Sequence, residues 1–204
     1  MTSAGYLRFP HLHGDLLTFT ADDDVWLAPL AGGRAWRVSS DRAPVSYPRL
    51  SRDGSLLAWT SARDGAPEIW VCGLDGGPAR RLTYWGDGGT RVVGWAPGGE
   101  IIAITAAWQP FDRFTHAYLL SADGGAPRHQ AFGPASDVAI EPAGTVLLNG
   151  TYGRDPAYWK RYRGGTAGRL WVRPGGPGAA GEFSRVLAGL GSQLASPMLM
   201  LSAA

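Results

Sequence analysis

Cysteine is all but missing from this chain. Cys72 stands alone among 204 residues, so no intrachain disulfide can form and a reducing, cytoplasmic compartment is expected. An excess of either charge is missing too. The formal net charge is +2, too small to argue for nucleic acid, and no nucleic-acid partner is expected. No apolar run approaches the roughly 18 residues that a membrane helix needs, so no membrane partner is expected either. The opening residues MTSAGYLRFPHLHGD have no basic start followed by an apolar stretch, which argues against a secretory signal. A sustained 3.6-residue apolar period is also absent, so helix is scarce.

What the chain does have is glycine, 30 residues of it, with 15 prolines and nine tryptophans, in a composition 45% hydrophobic. That mixture points to many short strands joined by tight turns around a real core. The clearest stretch is YPRLSRDGSLLAWTSARDGAPEIWVCGLDGGPARRLTYW, from Tyr47 to Trp85. It reads as four strands separated by turns at Asp53-Gly54, Asp64-Gly65 and Gly76-Gly77, each with residues that tolerate positive φ. The third strand recurs as DVWL, EIWV, HAYL and RLWV, starting at residues 24, 68, 116 and 169. Turn residues before the second strand recur at Gly14-Asp15, Asp53-Gly54, Gly98-Gly99 and Ala143-Gly144. A period of about 40–50 residues with four strands per unit is the signature of a β-propeller blade. The expected fold is all-β, with blades at roughly residues 5–42, 43–86, 87–133 and 134–190 and the start of a fifth from 194. Four blades do not close a propeller comfortably, because an open array leaves both ends unpaired. The chain therefore reads as residues 1–198 of a partial propeller, incomplete relative to six blades, with a divergent tail at 199–204. The fourth unit holds a long insertion, TYGRDPAYWKRYRGGTAG, between its second and third strands.

The motifs HGDLLTFTADDDVWL (13–27), PRLSRDGSLLAWTS (48–61), ARRLTYWG (79–86), WQPF (108–111) and YWKRYRGGTAGRLWV (158–172) resemble the N-terminal propeller of tricorn proteases. The last of these is the most specific; the turn-and-IWV pattern alone is shared with TolB-like propellers. The resemblance covers about residues 5 to 198. It implies a large cytoplasmic serine peptidase, assembled as a hexamer, that shortens peptides released by the proteasome or other ATP-dependent proteases. It further implies a first propeller of six blades, a second of seven, a PDZ-like domain and catalytic domains beyond residue 204. This chain is then expected to be inactive alone, its partners being peptides and the remaining domains.

No catalytic, cofactor or metal residue is expected in this stretch. Serine catalysis needs a base within reach of a hydroxyl and an oxyanion hole, and no Gly-x-Ser-x-Gly elbow is present. His116 and His129 are expected to be strand residues with backbone partners. His11 and His13 share a strand face and a spacing that can hold a metal, but no third ligand is evident beyond nearby Asp15, and HGD reads as a turn. Asp22, Asp23 and Asp24 lack the Gly and Glu of a calcium loop and also read as a turn. Cys72 reads as a small buried hydrophobe. Lys160, Arg161 and Arg163, beside Trp159 and Tyr162, are the candidate peptide contacts, because arginine forks suit carboxylates. The basic pair that some tricorn members carry after the RLTY strand is unmatched, with only Arg91 in GDGGTRVV, and no role is transferred to Arg91. Two alternatives stand beside the protease reading: a TolB-like binding module, which would need an export signal, and a truncated gene product without function.

Overall fold

A computed structural model describes residues 6–75, 77–150, 167–176, 181–190, 194 and 197. The described residues form four antiparallel sheets of four strands each, and no helix. Sheet 1 comprises β1 (Arg8–His13), β2 (Leu16–Ala21), β3 (Asp24–Pro29) and β4 (Trp36–Arg37). Sheet 2 comprises β5 (Val45–Leu50), β6 (Leu56–Ser61), β7 (Glu68–Gly73) and β8 (Arg80–Arg81). Sheet 3 comprises β9 (Arg91–Trp95), β10 (Ile101–Thr105), β11 (His116–Leu120) and β12 (Arg128–His129). Sheet 4 comprises β13 (Asp137–Ile140), β14 (Val146–Asn149), β15 (Leu170–Arg173) and β16 (Ser184–Arg185). Each is a meander in chain order, as hairpin connections demand. These are the blades of an all-β propeller.

The first strands β1, β5, β9 and β13 lie against one another from blade to blade, whereas each two-residue fourth strand packs on its own third strand. The first strands therefore form the inner wall and the fourth strands the rim.

The core sits between the sheets. Successive strand residues point to opposite faces, so a central blade buries both. In blade 2, Leu57, Trp59, Trp70 and Cys72 pack toward Val25 and Leu27 of blade 1. Their neighbours Ala58, Ile69 and Val71 pack toward Val92, Ile101 and Ala103 of blade 3. Ile102, Ile104 and Leu119 turn the other way, onto Val138, Val146 and Leu148 of blade 4. Double burial explains why β6 and β10 read as unbroken apolar runs rather than alternating ones.

The turn glycines do what the repeat required. Gly14, Gly54, Gly99 and Gly144 all have positive φ, between 53° and 89°. Gly175 is held by space instead: a Cβ there would overlap the backbone of Ala143, Gly144 and Thr145. The insertion of the fourth unit falls between β14 and β15, and most of it lies outside the described residues.

Candidate functional site on the inner wall

Two inner strands carry a matching irregularity. The β1–β2 register slips between Arg8 and His11, and the β5–β6 register slips between Ser46 and Arg49. At these bulges Phe9 and Tyr47 take φ of 52° and 51°. Aromatic residues rarely adopt this left-handed conformation, and such strain costs on the order of 1–3 kcal/mol. Its effect is to bring the two rings together, centroids 4.4 Å apart and tilted by 44°.

Arginines surround the rings. The Arg8 guanidinium lies 5.8 Å from the Phe9 ring, and Arg91 lies 5.1 Å from Tyr47. Arg49 lies 6.0 Å from Tyr47. Arg49 and Arg91, with Arg52, also stitch the blades. Arg49 donates from Nε to the Val93 carbonyl at 3.3 Å. Arg52 donates to Trp95 O at 3.4 Å and to Ile140 O at 2.6 Å. Arg91 donates to the Ser136 carbonyl. Arg49 also donates from Nη1 to the Pro48 carbonyl at 3.0 Å. Arg8 Nε is buried without an acceptor among the described residues. Burial pushes the Arg49 guanidinium below its ordinary pKa, a tendency that Asp137 and Tyr47 oppose. The wall thus presents several cations and two π faces, a surface suited to carboxylates and apolar or aromatic side chains.

His11 closes the seam between blades 1 and 2. Its Nδ1 accepts the backbone N–H of Leu50 at 3.2 Å, so the imidazole is neutral and carries its proton on Nε2. Burial, then Arg49, then His13 lower its pKa to about 4. Between pH 6.5 and 4 the unfolded chain therefore binds a proton that the folded one refuses, and stability rises with pH. The contribution is complete above pH 6.5 and falls away as pH drops to about 4, by about 3 kcal/mol in total. Urea unfolding at pH 7 and pH 4.5 measures it; His11→Asn, which keeps an acceptor but does not titrate, should flatten that part of the profile. An equally steep profile in His11→Asn removes His11 as the cause.

Other sequence candidates fall as follows. Lys160, Arg161 and Arg163 lie outside the described residues. Arg91, given no role from the sequence, stands on the inner wall. Asp22 and Asp23 form the β2–β3 turn with φ of 49° and 60°. Asp24 does not belong to that turn: it opens β3, is buried, and accepts from Ser39 Oγ at 2.8 Å and Asp41 N at 2.9 Å. Cys72 is buried in the blade 1–2 core, where desolvation pushes its thiol up to about 11. The side chains of His116 and His129 have each other rather than a backbone group as hydrogen-bond partner among the described residues, with His116 Nδ1 and His129 Nε2 at 3.1 Å. No group of three or more His, Cys, Asp or Glu side chains positioned for a metal occurs among the described residues.

Residues 4–203 match the family model described as the tricorn protease N-terminal beta propeller domain. The chain belongs to the tricorn protease family. It is 53% identical to tricorn protease homolog 1 of Streptomyces coelicolor over 192 residues, covering 94% of this chain and 18% of that protein. A second relative, of Sulfurisphaera tokodaii, is named a putative tricorn-like protease N-terminal subunit; identity is 33%, over 82% of this chain and 86% of that protein. The crystal structure of the tricorn protease superposes with a TM-score of 0.82 at 26% identity, over 96% of this chain and 19% of that one. The chain thus spans less than a fifth of the Streptomyces homologue that it matches. No helix among the described residues is long and apolar enough to cross a membrane.

Proposed function

We propose that this chain is the N-terminal propeller portion of a tricorn-type serine peptidase, acting as a scaffold and peptide channel while catalysis resides in other domains. The observation that carries this reading is the inner wall: arginines beside two rings that strained backbone holds together, in a chain matching the tricorn propeller along nearly its whole length. Short peptides end in carboxylates and carry apolar side chains, which such a wall contacts. Lys160, Arg161 and Arg163 are further peptide contacts in this reading, on the charge of their side chains alone. The peptides are products of the proteasome or other ATP-dependent proteases, the compartment is the cytoplasm, and the full protease is a hexamer.

One observation favours a variant of this reading. The Sulfurisphaera relative is named a subunit, and this chain covers 86% of it. A propeller portion made as a separate polypeptide would dock onto its protease partner. Reading the DNA downstream of codon 204 separates the cases: an uninterrupted frame with further blades makes the chain a segment, a distinct neighbouring gene makes it a subunit.

The test of the proposal is direct. Purified chain should leave short fluorogenic peptides uncleaved, yet raise the fluorescence anisotropy of labelled short peptides with free carboxylates. Lys160→Ala/Arg161→Ala/Arg163→Ala should weaken that binding at least tenfold. Cleavage sensitive to serine-directed inhibitors, or no binding of the labelled peptides to the wild-type chain, would sink it; unchanged binding in the triple variant would remove Lys160, Arg161 and Arg163 as contacts.

A further inference from the structure

The blades are internal copies, so a position that changes character in one of them is informative. Trp26, Trp70, Tyr118 and Trp171 are equivalent, each paired across the third and fourth strands with Arg37, Arg81, His129 and Arg185 respectively. Two residues before the aromatic, blade 1 has Asp24 and blade 2 has Glu68, both buried. Each carboxylate meets the rim arginine of its own blade: Asp24 with Arg37 at 3.4 Å and Glu68 with Arg81 at 3.2 Å. Ser39 and Thr83, two residues past those arginines, complete the acid's hydrogen bonding. Blade 3 replaces all three members, with His116 for the acid, His129 for the arginine and Ala131 for the hydroxyl. Acid, cation and hydroxyl have become two imidazoles.

From this replacement we propose that blade 3 carries a two-histidine site for a late first-row divalent cation, chelated by His116 Nδ1 and His129 Nε2. The geometry is right for a chelate. Imidazole nitrogens bind such ions at about 2.0–2.1 Å, so two nitrogens 3.1 Å apart enclose an angle of about 100° at the metal, between the square-planar and tetrahedral values. The rings are already close to a common orientation, with centroids 5.3 Å apart and planes at 30°. Histidine χ2 is a soft torsion, so a modest turn of each ring converges the lone pairs. The N–H now shared between the rings moves to the outer nitrogen of its own ring, and the metal takes both facing lone pairs without net proton release. Tyr118, with its ring 5.1 Å from His129, and Trp108, 4.9 Å from Tyr118, wall one side of the pair. The remaining coordination positions are open to water or to a ligand brought by a docking partner. Borderline ions that favour imidazole, Zn²⁺, Ni²⁺ and Cu²⁺, fit; Mg²⁺ and Ca²⁺ do not.

The experiment is calorimetric titration of the purified 204-residue chain with Zn²⁺ and, separately, Ni²⁺ at pH 7.5 in a non-coordinating buffer. One site per chain is expected, together with a rise in Tm on adding metal. His129→Asn changes an exposed rim residue and should weaken binding at least tenfold. His116→Asp/His129→Arg restores the side-chain pair of blade 1; it should fold, shown by a cooperative melt, and should lose the metal-dependent rise in Tm. Absence of saturable binding to the wild-type chain up to millimolar metal overturns the site. So does wild-type affinity in both variants.

Discussion

Trp59→Ala should lower the stability of the chain by about 4 kcal/mol, among the largest effects available to one substitution. Trp59 is fully buried in the seam between blades 1 and 2, packed among Val25, Leu27, Val45 and Leu57. Truncation removes its transfer free energy and leaves a cavity that two rigid sheets cannot collapse. A second loss adds to the first. Trp59 Nε1 donates to Asp41 Oδ2 at 3.2 Å, and the Asp41 carboxylate, almost wholly buried, also holds Arg63 at 3.2 Å. Arg63 in turn lies 3.9 Å over the Trp70 ring. Trp59→Phe isolates the hydrogen bond: most of the volume stays, and a cost of about 1.5–3 kcal/mol is expected for the lost bond to a charged acceptor. Urea unfolding with unchanged m-values reads both numbers. A loss under 1 kcal/mol in Trp59→Ala would mean that the blade 1–2 seam is not the packed core described here.

How much of this was legible in the sequence follows from which physics is local. The turns were readable because tight turns demand positive φ and glycine adopts it without steric cost, as Gly54, Gly99 and Gly144 do, and the strand period followed from their spacing. The two-sided burial of β6 and β10 was not, since LLAWTS and IIAIT are apolar runs whichever sheet they face. Sequence proximity groups Asp24 with its two acidic neighbours in a turn, whereas it opens β3. A signal existed: aligning the third strands puts it beside Glu68 and His116, where a turn residue has no reason to recur. That alignment also carried the His116–His129 pair, because His129 stands where Arg37 and Arg81 stand. Phe9 and Tyr47 were beyond reach. An aromatic residue in the left-handed region runs against its own propensity, and only the tertiary contact of the two rings makes sense of it. Among the described residues the Arg91 side chain has no partner in its own connection; its contact is the Ser136 carbonyl of the blade that follows, which sequence spacing does not reveal.

The ion pair of blade 2 carries the second large effect. Glu68 is 1% exposed, yet its carboxylate is fully engaged. It accepts from the Thr83 hydroxyl, from Gly86 N at 2.9 Å and from Arg81 at 3.2 Å, while Thr83 Oγ1 accepts Ile69 N at 2.9 Å. Glu68→Ala should therefore cost about 3 kcal/mol: Thr83 Oγ1 and Gly86 N lose their acceptor in a buried site, and Arg81 loses one of its two carboxylates while keeping Asp64 at 3.1 Å and the Thr83 carbonyl at 2.7 Å. Glu68→Gln keeps the shape and one acceptor and should cost about half as much. The penalty for one missing partner is mostly the desolvation of the other, so Glu68→Ala/Arg81→Ala should be less destabilised than the sum of its two single variants by 1 kcal/mol or more. Blade 3 makes this expectation specific: with neither acid nor arginine at these positions, Tyr118 and His129 keep the same pairing as Trp70 and Arg81. The pair is thus dispensable as a pair and costly as a half. Strict additivity in the double-variant cycle would contradict that, and would locate the stability of blade 2 in its apolar seams alone.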